Sequence, residues 1–393
     1  PQEVAQMVLD AADLSAVCSA TEIAGPGFIN ITFSNSFLAS ELAAAAVDSR
    51  LGVRLSPAPE VVDIDYSAPN VAKEMHVGHL RSTVIGDALV RMLEFVGHRV
   101  IRENHIGDWG TPFGMLIEHL IDLGEAEAAN ELSVGDLDSF YRQARTKFDA
   151  SDEFKERARA RVVLLQGGDD ETLRMWKLLV GESTRYFDRV YRVLDVLLTS
   201  DDIMGESAYN HLLAEVVERL KKSGMLQTSD GAEVVFVDGF VNRDNEPLPL
   251  IIRKTDGGYN YATSDLACVI DRVERLGATR ILYVVGAPQA QHLEMVGVVS
   301  RKAGWVPETT QMVHVAFGNV LGNDRKRLKS RSGEVVKLDA LLTEAVDRAG
   351  VSVREKNAEL SAAQQGEIAR QVGIGAIKYA DLSTDRIKDY VFD

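Results

Sequence analysis

Val61-Val62-Asp63-Ile64-Asp65-Tyr66 alternates apolar and acidic side chains, the period of two expected of a strand with one face in a core. Residues 80–95 then place apolar side chains at helical spacing, and the pattern stops at Gly97, where a helix readily ends. Residues 99–106 resume as a second strand. Strand, helix and strand in so short a span make a βαβ unit, which calls for a parallel sheet with a right-handed crossover. Further strand signals at 233–237, 250–253, 281–285 and 313–317, with helices between them, read as continuations of the same doubly wound sheet. The intervening stretch from 115 to 226 is helical and rich in charge, as in 142–161 and 171–198, and reads as an insertion. The predicted class is therefore α/β: a split, Rossmann-like doubly wound parallel sheet with a helical insertion and flanking small domains.

Outward from this core, Ser56-Pro57-Ala58-Pro59 is a stiff connector that sets off a small opening unit. In that unit Gly25-Pro26-Gly27 is a turn feeding a strand at 28–33, before a helix at 38–47. The expected organisation is an opening unit at 1–57, a first half of the nucleotide-type domain at 58–115 and a mainly helical insertion at 116–226. A second half at 227–340 and a helical segment at 341–393 complete it. Pro1 stands where an initiator Met is usual, and Tyr390-Val391-Phe392 runs to Asp393 without a terminating signal, so a piece of a longer chain is expected.

Composition narrows the function classes. Hydrophobic residues make up 46% and charged residues 26%, with no apolar run of membrane-spanning length, so no membrane partner is expected. No basic segment followed by an apolar one opens the chain, which makes the cytoplasm the default location. Cys18 and Cys268 are too distant for a local metal knuckle and too few for a disulfide framework, and read as reduced core thiols. A net charge of -16 opposes phosphate binding by the chain as a whole. Arg325, Lys326, Arg327, Lys329 and Arg331 form a local exception, either a phosphate-binding cluster or a solvated turn.

His76-Val77-Gly78-His79 follows the first strand and opens its helix. Free amides and the positive end of the helix dipole make that position an anion site. Gly78 leaves room for a nucleotide against the backbone, and two imidazoles three apart can meet phosphate oxygens from one face. A plain turn and a zinc pair are the alternatives, although no third metal ligand stands nearby in sequence.

Together with Ser67-Ala68-Pro69-Asn70-Val71-Ala72-Lys73 before it and His105-Ile106-Gly107-Asp108-Trp109-Gly110 after it, this motif resembles the class I aminoacyl-tRNA synthetases, specifically the arginine enzymes. The resemblance runs from Gly25 onward, through separated segments in matching order. It identifies His76 to His79 with the H-I-G-H signature of that class. Tyr259-Asn260-Tyr261-Ala262-Thr263-Ser264-Asp265 looks like the arginine-recognition stretch. A guanidinium is planar with fixed donors, so carboxylates suit it, and the resemblance implies Asp265 and Asp65 in that role with Tyr261 beside them. It further implies that Asn70, Gln289 and His76 hold the α-amino end.

Arg327-Leu328-Lys329-Ser330-Arg331-Ser332-Gly333 occupies the place of the K-M-S-K-S loop but departs from it, with Arg327 for the first lysine and Ser330 for the second. Lys73 is the substitute implied by the family, with Lys329 and Arg331 as rivals. The implied catalytic set is thus His76, His79, Lys73 and Lys329, and ATP would meet these with Gly78 and Arg331. The implied reaction is ATP-dependent activation of L-arginine to the adenylate, with Mg²⁺ carried on ATP, then transfer to the 3' end of tRNA(Arg). No resident structural metal is implied, and a monomer is expected. The opening unit would be a remnant of the domain that touches the tRNA elbow, while Asp381-Leu382-Ser383-Thr384-Asp385-Arg386 resembles the hinge before an anticodon-binding domain, which is expected to be absent from this stretch. Because the family generally needs bound tRNA to activate arginine, weak activity of this region alone is expected. Two other readings are a stand-alone paralogue charging another acceptor and a non-catalytic arginine or tRNA sensor.

Overall fold

The computed structural model describes residues 1–124, 137–242, 244–255, 257–322, 325 and 336–391. Two units emerge, Pro1–Ala58 with Phe95–Gly97, and Pro59–Glu94 with His98–Asp393. The first contains α1 (Gln2–Ala11), the antiparallel strands β1 (Cys18–Ala24) and β2 (Phe28–Phe33), and α2 (Asn35–Val47), which Ser34 caps through its hydroxyl. A two-stranded ribbon encloses little, so Cys18 is half-exposed rather than the core thiol expected of it, whereas Cys268 is buried.

In the second unit, β3 (Val61–Asp65) leads through α3 (Val77–Phe95) to β4 (Arg99–Glu103), the βαβ unit of the sequence reading. Gly97, at φ 91°, ends α3. Val62 and Ile64 are fully buried on one face of β3, and Gly86 brings α3 so close that a Cβ there would lie 2.4 Å from the Tyr66 side chain. The helical insertion supplies α4 (Thr111–Leu123), α5 (Leu137–Ala150), α6 (Asp152–Gly167), α7 (Asp170–Leu194) and α8 (Asn210–Lys222). On α7, the longest of these at 25 residues, Leu179, Ser183, Tyr186, Phe187, Val190, Tyr191 and Leu194 recur at helical spacing and are buried.

Strands β5 (Gln227–Ser229), β6 (Ala232–Val241) and β7 (Pro247–Arg253) follow, and here the structure corrects the sequence reading. The segments at 233–237 and 250–253 do not join the parallel sheet: they pair antiparallel in a sheet of their own. The connection from β6 to β7 is a short hairpin, and a parallel pairing needs a crossover of a dozen or more residues. Their buried face packs with α8 and with α9 (Tyr261–Ile270) in a second hydrophobic core. The parallel sheet is completed by β8 (Arg280–Tyr283), α10 (Ala290–Lys302) and β9 (Gln311–His314), in the order β4-β3-β8-β9. β10 (Val320–Leu321), α11 (Leu338–Lys356), α12 (Ala362–Leu382) and β11 (Tyr390–Val391) end the described chain. β10 and β11 pair in parallel. Among the described residues, no helix is long and apolar enough to cross a membrane.

Gly86→Ala should destabilise this unit by about 1–3 kcal/mol, because its methyl must displace the buried Tyr66 ring; chemical denaturation followed by far-UV circular dichroism measures it.

Candidate active site

Parallel register sets Asp65, Glu103 and Tyr283 side by side at the carboxyl ends of their strands, with His314 next in line. Ligands of open α/β sheets bind outside that edge, and a cavity of about 790 Å³ lies there. It is lined at once by Asp65, His76, Gly78, His79, Tyr261, Asp265 and Gln289, so seven of the residues singled out in the sequence share one cavity.

The first turn of α3 forms one end. The His76 backbone N–H donates to Nδ1 of His79 at 3.1 Å, and the Gly78 N–H donates to Nδ1 of His76 at 3.0 Å. Accepting at Nδ1 leaves the proton of neutral His79 on Nε2 as a donor. Burial, then the neighbouring His76, push the His79 pKa down to about 3 against the pull of the His76 backbone contact, so the ring is neutral at physiological pH. A Cβ at Gly78 would stand 2.7 Å from the His76 ring, so any side chain there would have to displace that imidazole.

The carboxylates are supplied by other elements. Asp265 lies inside α9 and not at its cap, which is Asn260; its Oδ2 meets His292 Nε2 at 2.5 Å. The Tyr261 ring is 4.8 Å from that of His292 and well exposed. Asp65 gives one oxygen to Arg272 at 2.8 Å, while its Oδ1 is buried with no hydrogen-bond partner among the described residues. Arg272, fully buried, also meets Glu103 at 2.6 Å and Asp63 at 3.2 Å. Burial pushes the Asp63 carboxyl well up, with Arg272 opposing and Glu103 and Asp65 adding to it.

Among the lining residues to which sequence reasoning gave no role are His105, Glu206, Tyr283 and His292. His292 lies three residues past Gln289 and His105 opens a quoted motif, so both were in view without a role. Glu206 had no signal, because a short 3₁₀ turn, Glu206–Tyr209, brings it in. That turn is tied down by Asp108, which accepts from the Ser207 N–H at 2.8 Å and hydroxyl at 2.6 Å, and by the Glu206 N–H donating to Ile106. Burial pushes the Glu206 carboxyl up to about 7; His105 opposes this and Asp108 and Asp265 add to it.

Two expected residues stand apart from the cavity lining. The Lys73 ammonium sits 4.4 Å from the centre of the Tyr141 ring, and Asn70 is exposed, its backbone bridged to Gly107. Both belong to a loop held by α7: Ser67 bonds Tyr191, Ala72 bonds Ser183 and Met75 bonds Tyr186. In this loop Ser67, Ala68 and Ala72 all adopt positive φ, at 71°, 47° and 57°. Three such residues so close together store strain that surrounding contacts must hold. Lys326, Arg327, Lys329, Ser330 and Arg331 lie outside the described residues.

For a metal, His105, Asp265 and Cys268 bring ligand-type atoms within 4.8 Å of one another. The set suits a resident ion poorly: burial raises the Cys268 thiol away from the thiolate a metal requires, and Asp265 already holds His292.

Comparison with known proteins places this geometry in a family. Residues 41–393 match the family model described as tRNA synthetases class I (R), catalytic domain, and residues 1–33 match the arginyl tRNA synthetase N terminal domain. Arginine-tRNA ligase of Thermobifida fusca is 54% identical over the whole chain, which covers 68% of that protein. The ligase of Nostoc sp. is 50% identical, with 67% of it covered. The crystal structure of arginyl-tRNA synthetase from Plasmodium falciparum superposes on all of the chain with a TM-score of 0.81 at 27% identity, 66% of that chain being covered. The chain spans about two thirds of the length of these relatives, and it belongs to the arginyl-tRNA synthetase family of class I, whose catalytic domain it contains.

Proposed function

We propose that this region activates L-arginine with ATP and passes the product to tRNA(Arg). The observation that carries this reading is one cavity lined both by the imidazoles at the start of α3 and by the carboxylates of Asp65 and Asp265. A triphosphate suits the first group, at the positive end of the helix dipole, and a guanidinium the second. An arginine carboxylate oxygen attacks the α-phosphorus in line, the bond to the bridging oxygen breaks, and pyrophosphate departs. In the second step a hydroxyl of the terminal adenosine of tRNA attacks the adenylate carbonyl, and AMP leaves.

His79, neutral, donates from Nε2 to phosphate oxygens as charge builds, and the Gly78 turn contributes the positive end of the α3 dipole. Asp265 and the free oxygen of Asp65 receive the guanidinium, with Tyr261 against it; Gln289 and His76 serve the α-amino end. Lys73 and Asn70 would join only after a shift of the strained loop at 67–72. Magnesium enters with ATP as substrate, since the lining residues at the α3 end offer imidazoles rather than carboxylates.

His79→Ala should lower kcat for arginine-dependent pyrophosphate exchange by about 10²–10³ with little change in the arginine KM. Asp265→Asn should instead raise the arginine KM by about tenfold or more and spare that for ATP. The assay is run on the full-length protein with and without tRNA. No exchange in either case would favour a binding sensor, and exchange independent of RNA a paralogue with another acceptor.

Glu206 adds a pH dependence. Its raised pKa favours the folded state in the protonated form, a contribution complete below the ordinary glutamate range and lost as pH rises through about 7. Permanently neutral Glu206→Gln should match the parent melting temperature at pH 5 and exceed it by a few degrees at pH 8. Ionisation of Glu206, whose charge acts together with that of Asp265, should lower the arginine KM between pH 5 and pH 8, and Glu206→Gln should flatten that fall, as calorimetry and exchange kinetics at both pH values would record.

A further inference from the structure

The wall of the cavity formed by Phe317, Gly318, Asn319 and Val320 is not held by the sheet edge alone. A strap comprising the end of α12 and the chain to Val391 runs along its back. Val320 and Leu321 pair with Tyr390 and Val391, and the Gly318 N–H donates to the Arg386 carbonyl at 3.0 Å. Oδ1 of Asp389 accepts from both the backbone and the side-chain amide of Asn319, and Arg386 donates to the Ala316 carbonyl. Approach at Gly318 is so close that a Cβ would lie 2.5 Å from the Lys388 backbone.

Arg81 closes this assembly onto α3, one turn below His76 to His79. It is 1% exposed and donates from Nε to Oδ1 of Asp381 at 2.8 Å, from NH1 to the Gly318 carbonyl at 2.8 Å and to the Lys388 carbonyl at 3.1 Å. One guanidinium thus joins the phosphate-binding helix, the cavity wall and the strap, and Asp381, equally buried, is its counter-charge from 300 residues away. A buried charge left without its partner moves to recover hydration or other contacts, so this pair fixes position as well as adding stability.

We propose that Asp381 and Asp389 are positioning residues for the ATP half of the cavity. Neither lines it; they act through Arg81 and Asn319, which do. Asp381 sets the guanidinium that spaces the wall from the first turns of α3, and Asp389 pins the wall at Asn319. The arginine half depends on α9 and α10 instead, through Asp265 and His292. Disturbing the strap should therefore separate the two substrates.

The inference rests on the arginine-activation reading, and the experiment distinguishes failure of one from failure of the other. Pyrophosphate exchange is measured on full-length protein with tRNA present, varying ATP and arginine in turn, for Asp381→Asn, Asp389→Ala and Asp389→Asn. Expected are an ATP KM raised about tenfold in Asp381→Asn and about threefold in Asp389→Ala, with the arginine KM within about twofold of the parent. Asp389→Asn keeps an acceptor oxygen for Asn319 and should restore the parent ATP KM. If Asp381→Asn does not fold, the two Asp389 variants decide, since that side chain is exposed. A lowered melting temperature with both KM values and kcat unchanged, or equal losses for ATP and arginine, would overturn the positioning role. A parent without arginine-dependent exchange would overturn the underlying reading.

Discussion

A guanidinium that cannot lose its proton, Arg272, sits fully buried against Asp63, Asp65 and Glu103, and the site is arranged around that fact. Alone in the interior such a charge would cost far more than a domain can spare, and removing one partner of a buried pair typically costs about 3–5 kcal/mol. The acids come from adjacent parallel strands, β3 and β4, so the cluster ties the sheet to the turn after α9 while fixing Asp65 at its carboxyl edge. Three carboxyl groups face one resident guanidinium, and Asp265 and Glu206 line the adjoining cavity. Even with Asp63 holding its proton, Asp65 and Glu103 leave the cluster around Arg272 with a surplus of negative charge, and the proposed guanidinium site rests on that surplus.

Opposite in character, the α3 end would meet the proposed triphosphate with imidazoles at a helix start rather than with a cluster of cations. His79 is held neutral by burial and by the neighbouring His76, while the amide that points at its Nδ1 leaves Nε2 as the donor, so it offers a directed donor rather than a charge. In the proposed site a triphosphate would meet an oriented imidazole and the positive end of the helix dipole, which the net charge of -16 does not by itself oppose. The proposed cation and anion sites thus draw on different residues of one cavity.

The helical insertion is more than an appendage to the sheet. Ser183, Tyr186 and Tyr191 project from one face of α7 and bond successive points of the loop at 67–75, where three non-glycine residues have positive φ. A loop so constrained needs external hydrogen bonds to persist. Tyr141, from α5 of the same insertion, keeps the Lys73 ammonium against its ring. Here the periodic apolar stripe legible in the sequence becomes a scaffold for the loop that precedes the histidine motif.

The sequence by itself determined the βαβ unit and the placing of His76 to His79 at its turn, because strand period, helix period and a glycine stop are local signals. It also marked Asp65, Asp265, Tyr261 and Gln289, which short motifs carry. Tertiary structure alone decided that Asp63 and Asp65, alternating like a wetted strand face, are instead buried around Arg272, two hundred residues away. It alone drew Glu206 into the cavity through Asp108, left Lys73 and Asn70 out of its lining, and set the strands at 233–237 and 250–253 in a separate sheet. The physical reason is the same throughout: pattern reports which side chains prefer to be dry or charged. Which charge answers which, and across what distance in the chain, is fixed only when packing removes the water between them.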